Sequence, residues 1–276
     1  KIIIFRNLVL TMTVYVDQLN RQVNIKSSPQ RIVSLVPSQT ELLFDLGVAD
    51  RVVGVTKFCI HPAEAIATTT IVGGTKQIKH DVIKALQPDL IIANKEENTK
   101  EDLELLMQHY PVWISDINNL NEVFSMIANV GEIIGRENEA KKLNLEIKKG
   151  AAILAEEATS FKTGKRVAYF IWYKPWMVAA NDTFIHSMLE LCGWQNVFEK
   201  QERYPSVEIE QLAKLKPDII LLSSEPFPFK TKHVDMLKTI CPQAQVILTD
   251  GEMWSWYGSR LTKALPYLCE TISRFE

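Results

Sequence analysis

Asp81-Val-Ile-Lys-Ala-Leu-Gln-Pro-Asp-Leu-Ile-Ile-Ala-Asn-Lys-Glu96 returns 129 residues later, without a gap, as Glu210-Gln-Leu-Ala-Lys-Leu-Lys-Pro-Asp-Ile-Ile-Leu-Leu-Ser-Ser-Glu225. Each copy predicts a short amphipathic helix that stops before Pro88 or Pro217, because proline disfavours helix in the residue before it. An unbroken apolar run follows, Leu90 to Ala93 and Ile219 to Leu222. Such runs suit parallel strands covered on both faces. A motif that occurs twice at a fixed offset means two copies of one structural unit.

Reading outward, each copy is preceded by an arginine and an apolar strand: Arg31-Ile-Val-Ser-Leu-Val and Arg166-Val-Ala-Tyr-Phe-Ile. Each strand leads through a proline, Pro37 or Pro175, to an apolar helix that ends at glycine. These helices are expected near Gln39 to Leu46 before Gly47 and near Thr183 to Leu191 before Gly193, with glycine as the C-cap. Alternating strands and helices of this kind predict an α/β fold with mainly parallel sheets. Between the copies, Leu120 to Ile134 and Glu137 to Phe161 carry apolar residues at helical spacing, interrupted at Gly135. The expected architecture is an N-terminal lobe (1–136), a linking helix (137–161) and a C-terminal lobe (162–276). The cleft between two such lobes is the natural ligand site, and a single stiff helix predicts only small lobe movements. Residues 1–28 read as a β-hairpin, with strands from Leu8 to Val16 and Gln22 to Ile25. Arg6 and Asn7 break the first apolar run, and no cleavage site follows, so no clear export signal is read there.

The composition narrows the function. The 276 residues include 31 Lys+Arg and 33 Asp+Glu, a net charge of −2 that argues against a nucleic-acid binder. At 46% hydrophobic the chain can bury a core, and no stretch reaches the roughly 20 apolar residues of a membrane span. None of the four cysteines makes a C-x-x-C pair. His61, His80, His109, His186 and His233 are scattered without ligand spacing and read mostly as surface residues, so no direct metal site is expected. Phosphate-cradling glycine loops and the common hydrolase motifs are absent. An enzyme is therefore the minor reading, as is a sensor that never meets a transporter.

The ordered set Pro29-x-Arg31-Ile-Val-Ser-Leu-Val-Pro37-Ser-x-Thr40-Glu41, Val53-Gly-Val-Thr56, Val72-Gly-Gly74, Leu86-x-Pro88-Asp89 and Leu215-x-Pro217-Asp218 resembles the substrate-binding proteins of ABC importers for cobalamin and ferric chelates. The likeness covers roughly residues 20 to 276 and is greatest to the cobalamin-binding branch. It implies two similar lobes joined by one backbone helix. It also implies a metal chelate as transported ligand, no resident cofactor, an ABC permease as partner, a monomer and an extracytoplasmic location. Asp81 and Glu210, equivalent in the repeat, match the acidic residues with which that family docks to its permease. As helix N-terminal carboxylates they are also favoured by the helix dipole alone. Cys192 and Cys269 match two bridged cysteines of the cobalamin-binding relatives. A bridge across those 77 positions would contribute on the order of 4 kcal/mol, the alternative being two buried thiols.

Ligand contacts are expected in loops beyond the carboxyl ends of the strands. The candidates are Lys57 and Phe58; Trp172, Tyr173 and Trp176; Arg203 and Tyr204; and Trp254, Trp256, Tyr257 and Arg260. Flat rings with a few cations suit a large, polar-edged chelate, whereas the plain reading makes these rings core under long loops. Lys57, Lys95, Lys174, Arg203 and Arg260 are more cations than a neutral corrin needs, which keeps an anionic ferric siderophore or haem open. The equivalent loops at Glu96 and Glu225 read either as cleft lining or as solvated turns.

Overall fold

The computed structural model describes residues 12–275, apart from 27, 64–66, 68 and 161–163. Two compact units emerge, one from residues 1–116 with 125–142 and the other from 117–124 with 143–276. In the first unit a hairpin of β1 (Met12–Val16) and β2 (Gln22–Lys26) precedes β3 (Ile32–Ser34), α1 (Pro37–Asp45) and β4 (Val52–Val55). The portion of the expected first strand before Met12 lies outside the described residues. There follow β5 (Thr70–Ile71), β6 (Gly73–Gly74), β7 (Gln77–Ile78), α2 (His80–Leu86), β8 (Leu90–Asn94), α3 (Lys100–Met107) and β9 (Val112–Ser115). The main sheet runs β5-β4-β3-β8-β9, and every pairing in it is parallel.

Two helices, α4 (Leu120–Ile134) and α5 (Glu137–Ser160), lead into the second half of the chain. At 1.5 Å per residue the 24 residues of α5 span about 36 Å. In the second unit β10 (Arg166–Trp172), β11 (Met177–Val178), α6 (Phe184–Leu191), β12 (Gln195–Asn196), α7 (Gln211–Leu215) and β13 (Ile219–Ser223) come first. The chain ends with α8 (Thr231–Ile240), β14 (Gln245–Thr249), α9 (Glu252–Ser255) and α10 (Leu261–Ser273). The sheet order is β11-β10-β13-β14, with β12 also on β10 and only β11 antiparallel.

The repeat sets the frame of both units. Helices α2 and α7 each end on a left-handed residue, Gln87 and Lys216, both at φ 47° and ψ 60°. The chain then turns through Pro88 or Pro217 into β8 or β13, in which every residue is buried. The aspartate after each proline ties this turn to the unit's first strand. Asp89 Oδ1 accepts from the Arg31 backbone N–H at 2.8 Å, and Asp218 Oδ2 from that of Arg166 at 2.8 Å. The same arginines reach back to the helix ends, Arg31 Nε donating to the Leu86 carbonyl at 2.8 Å and Arg166 Nη2 to that of Leu215 at 2.8 Å. Helix end, strand start and neighbouring strand are thus locked by charge-assisted bonds, about twice as strong as neutral ones.

The apolar faces of these strands form the cores. Val33, Leu35, Ile91, Ala93 and Ile114 pack with Ile83 of α2 and Leu103 and Leu106 of α3. Ala168, Phe170, Ile220, Leu222 and Val246 pack with Leu212 of α7 and Val234 and Leu237 of α8. Both expected glycine caps are present, Gly47 at φ 77° and Gly193 at φ 69°.

Candidate functional site

In the first unit the loops beyond β3 and β8 and the β6–β7 turn are held by a polar scaffold. Asn98 Nδ2 donates to the carbonyls of Leu35 at 3.3 Å and Thr75 at 3.1 Å, and its Oδ1 accepts from the Asn94 N–H at 2.9 Å. Asn94 Oδ1 in turn accepts from the N–H groups of Glu96 at 2.8 Å and Glu97 at 3.0 Å. Two buried asparagines therefore fix three loops at one sheet edge. Beside them the Lys57 N–H donates to the Gly73 carbonyl at 2.8 Å. Gly73 sits at φ 115°, and a Cβ there would lie 2.3 Å from the Gln77 carbonyl oxygen, so only glycine fits. This holds Lys57 and Phe58 outward. Phe58 is 49% exposed, with the Lys57 ammonium 5.0 Å from its ring centre. Beneath them Cys59 is buried between the Thr40 and Thr56 hydroxyls at 3.1 and 3.2 Å, and burial pushes its thiol pKa up.

The second unit builds the corresponding edge from rings. Trp172 ends β10 at 38% exposure and meets Phe227 edge-on at 5.7 Å. Tyr173 contacts Trp176 at 4.8 Å, Phe227 at 5.7 Å and His233 at 4.8 Å, and Trp176 stacks on Phe229 at 6.0 Å. The Lys174 ammonium lies 5.3 Å from the Tyr173 ring centre. Edge-on contacts of this kind hold rings in fixed orientation and add to their area burial.

His233 is the pivot of the cluster. Contrary to the surface role expected of the histidines, it is only 2% exposed. Its Nδ1 accepts from the Lys230 N–H at 2.9 Å, so the neutral ring carries its proton on Nε2. That Nε2 has no hydrogen-bond partner among the described residues and lies amid ring faces. Burial, reinforced by Lys232 and Lys230, holds its pKa below the ordinary 6.5.

The loop after β14 corrects part of the sequence expectation. Trp254 is fully buried, and Trp256, Tyr257 and Arg260 are 7%, 8% and 5% exposed. Trp254 Nε1 donates to Thr249 Oγ1 at 2.8 Å, and its ring stacks on Trp194 at 5.9 Å. Trp256 Nε1 donates to Glu225 Oε1 at 2.8 Å, which also accepts from Ser255 Oγ at 3.0 Å. Arg260 lies 5.2 Å from the Trp256 ring centre and pairs with Glu252 at 3.4 Å. A Cβ on Gly251 would lie 2.3 Å from Ser223 Oγ, so the loop closes tightly on β13. These side chains are packed into the framework of their loop. Glu225, expected either to line a cleft or to lie in a solvated turn, anchors that framework.

Arg203 and Tyr204 are half-buried, with Arg203 Nη1 donating to the Asp182 carbonyl at 3.3 Å and to Asn118 Oδ1 at 3.4 Å. Asp81, in the first turn of α2, and Glu210, the N-cap of α7, are exposed, and neither forms an ion pair with the described residues. Cys192 and Cys269 stand as thiols, near enough that charge on Cys269 raises the Cys192 pKa in addition to burial. Burial, with Glu157 alongside, pushes Cys269 up to about 12. Neither is a ready thiolate at neutral pH. No group of three metal-ligating side chains occurs among the described residues.

The periplasmic binding protein family matches residues 32–240, and the chain belongs to that family. It is 29% identical over 266 residues to an ABC transporter substrate-binding lipoprotein of Bacillus subtilis, covering 93% of this chain and 84% of that one. It is also 29% identical over 255 residues to the vitamin B12-binding protein of Vibrio campbellii, covering 90% of each. The crystal structure of the periplasmic vitamin B12-binding protein of Vibrio cholerae has the same fold, with a TM-score of 0.77, 23% identity and coverage of 89% of this chain and 97% of that one.

Sequence reasoning missed Phe227, Phe229 and His233 as partners of the Trp172 cluster, and Asn94 and Asn98 as the polar scaffold. The signal for the former was the alternation Pro226-Phe-Pro-Phe229 beyond a buried strand, which marks an extended loop presenting rings.

Proposed function

We propose that this chain is the substrate-binding component of an ABC importer and that its ligand is a cobalamin-class corrinoid. The observation that carries the reading is the likeness to a vitamin B12-binding protein along nine-tenths of both chains. The outward rings at the strand ends suit it. Phe58 with Lys57 in the first unit, and Trp172, Tyr173 and Trp176 with Arg203 and Tyr204 in the second, are the proposed ligand contacts. The exposed rings of Phe58 and Trp172 cover the apolar plane of a macrocycle, while the neighbouring polar groups meet its amide edge. The protein acts by binding and release rather than by catalysis. An extracytoplasmic location, a monomeric state and a Cys192–Cys269 bridge in an oxidising compartment belong to the same reading.

Asp81 and Glu210 are the proposed permease contacts. Two exposed carboxylates at repeat-equivalent positions, without an ion pair among the described residues, meet the need of a basic partner for fixed register and steered encounter. A second ligand reading, a ferric siderophore or haem, is favoured by the lysines at both rims, Lys57 and Lys174, since these chelates carry anionic groups.

Tryptophan fluorescence titrated with cyanocobalamin, haemin and a ferric siderophore, with inner-filter controls, tests the ligand. Saturable quenching by cyanocobalamin below micromolar is expected. Tight binding of a ferric chelate without response to cobalamin moves the protein to the iron branch. In the second arm Asp81→Ala with Glu210→Ala leaves cyanocobalamin affinity intact and abolishes uptake; loss of ligand affinity refutes the docking role.

A further inference from the structure

Asp81 is preceded by His80, whose Nε2 lies 2.6 Å from Asp102 Oδ1. Asp102 belongs to the first turn of α3, and its other oxygen accepts from the Thr99 hydroxyl at 2.7 Å. Thr99 is the N-cap of α3, its own hydroxyl accepting from the Asp102 N–H at 3.3 Å. Both carboxylate oxygens of Asp102 are therefore engaged within the unit. The first turn of α2, which carries Asp81, is tied to the capped first turn of α3 by one side-chain contact. Little of the fold depends on it: His80 and Asp102 side chains are 32% and 22% exposed, and partly exposed pairs contribute little to stability.

The second unit has no such tie. At the offset of the repeat His80 corresponds to Ile209, and by their places in the following helices Thr99 corresponds to the N-cap Lys230 and Asp102 to His233, whose Nδ1 is taken by the Lys230 N–H. Ile209 instead packs, half-buried, against the apolar core of its unit. The residue just before each exposed carboxylate thus anchors its tip in both units, by apolar packing before Glu210 and by a polar contact before Asp81.

We infer that His80 is a positioning residue for permease docking: its contact with Asp102 holds α2 so that the Asp81 carboxylate is presented to a cationic partner in one place. This rests on the docking reading of Asp81. A carboxylate on a pre-fixed turn loses less freedom on association than one on a loose turn, so the contact raises affinity for the partner without touching the ligand.

The test measures ATP hydrolysis by the cognate importer in proteoliposomes against the concentration of the cyanocobalamin-loaded chain. His80→Ala is expected to raise the concentration for half-maximal stimulation about 3- to 10-fold with the maximum unchanged. Asp102→Ala breaks the contact from the other side and is expected to do the same. His80→Gln, whose amide reaches Asp102, is expected to restore the wild-type value. Cyanocobalamin affinity and thermal midpoint serve as controls and are expected to hold in all three. Wild-type behaviour of His80→Ala beside a weakened Asp81→Ala overturns the inference, as does His80→Gln being as weak as His80→Ala. An Asp81→Ala variant with undiminished stimulation instead removes the docking reading on which the inference rests.

Discussion

The two units share one frame and differ in what the frame presents. Helix end, left-handed residue, proline, aspartate and buried strand superpose residue for residue in the repeat, down to the arginine that closes each bracket. Beyond the strand the chemistry diverges. After β8 comes an asparagine-clamped polar loop, and after β13 a run of rings around a buried histidine. Selection on the frame acts through backbone geometry, which tolerates one solution. The side chains beyond the strands carry no such backbone constraint, so the two rims need not match.

The sharpest way to break this contrast is to exchange core for rim within the second unit. Trp254→Ala is expected to cost about 3–5 kcal/mol in urea unfolding, since it removes a fully buried ring and one of the hydrogen bonds of the Thr249 hydroxyl. Trp172→Ala is expected to cost under about 1 kcal/mol and to remove most of the ligand-induced quenching. Equal stability losses for the two would erase the distinction between framework and rim.

A smaller effect separates the two brackets. Asp89 accepts from the N–H groups of both Gln30 and Arg31, whereas among the described residues Asp218 accepts from that of Arg166 alone. Asp89→Ala is expected to cost about 2 kcal/mol and Asp218→Ala about 1 kcal/mol. The order of the two denaturation midpoints checks it.

The smallest effect is in acid. His233 is held neutral in the fold, with a pKa below its ordinary 6.5, and Lys230 and Lys232 oppose its protonation. The unfolded chain binds a proton there more readily than the folded one, so its contribution is complete above about pH 6.5 and is lost as pH falls below that value. His233→Asn, which keeps an acceptor for the Lys230 N–H, is expected to flatten this part of the stability profile. An unchanged slope between pH 6.5 and 5 goes against the assignment.

The frame was legible because its signals are periodic or steric. Pro88 and Pro217 stop helices wherever they stand, and Leu90 to Ala93 has only one comfortable environment. The direction of a ring in a turn leaves no such mark. Trp254 and Trp172 both follow strands in aromatic-rich loops, yet one points inward and the other out. The polar scaffold was less legible still, because Asn94 and Asn98 act through single hydrogen bonds to backbone that is distant in sequence.

The Arg–Asp brackets also make the strand ends behave as sockets. Arg31 to Asp89 and Arg166 to Asp218 close each frame from within its own unit and use no residue of the loops that follow β8 and β13. Within those loops Asn98, Glu225 and Phe229 are tied to their neighbours, and the exposed side chains between them are the parts free to be exchanged, like tips on a common handle. On the proposed ligand contacts, a designer can rewrite the exposed rim at Lys57, Phe58 and Trp172 and leave both brackets intact.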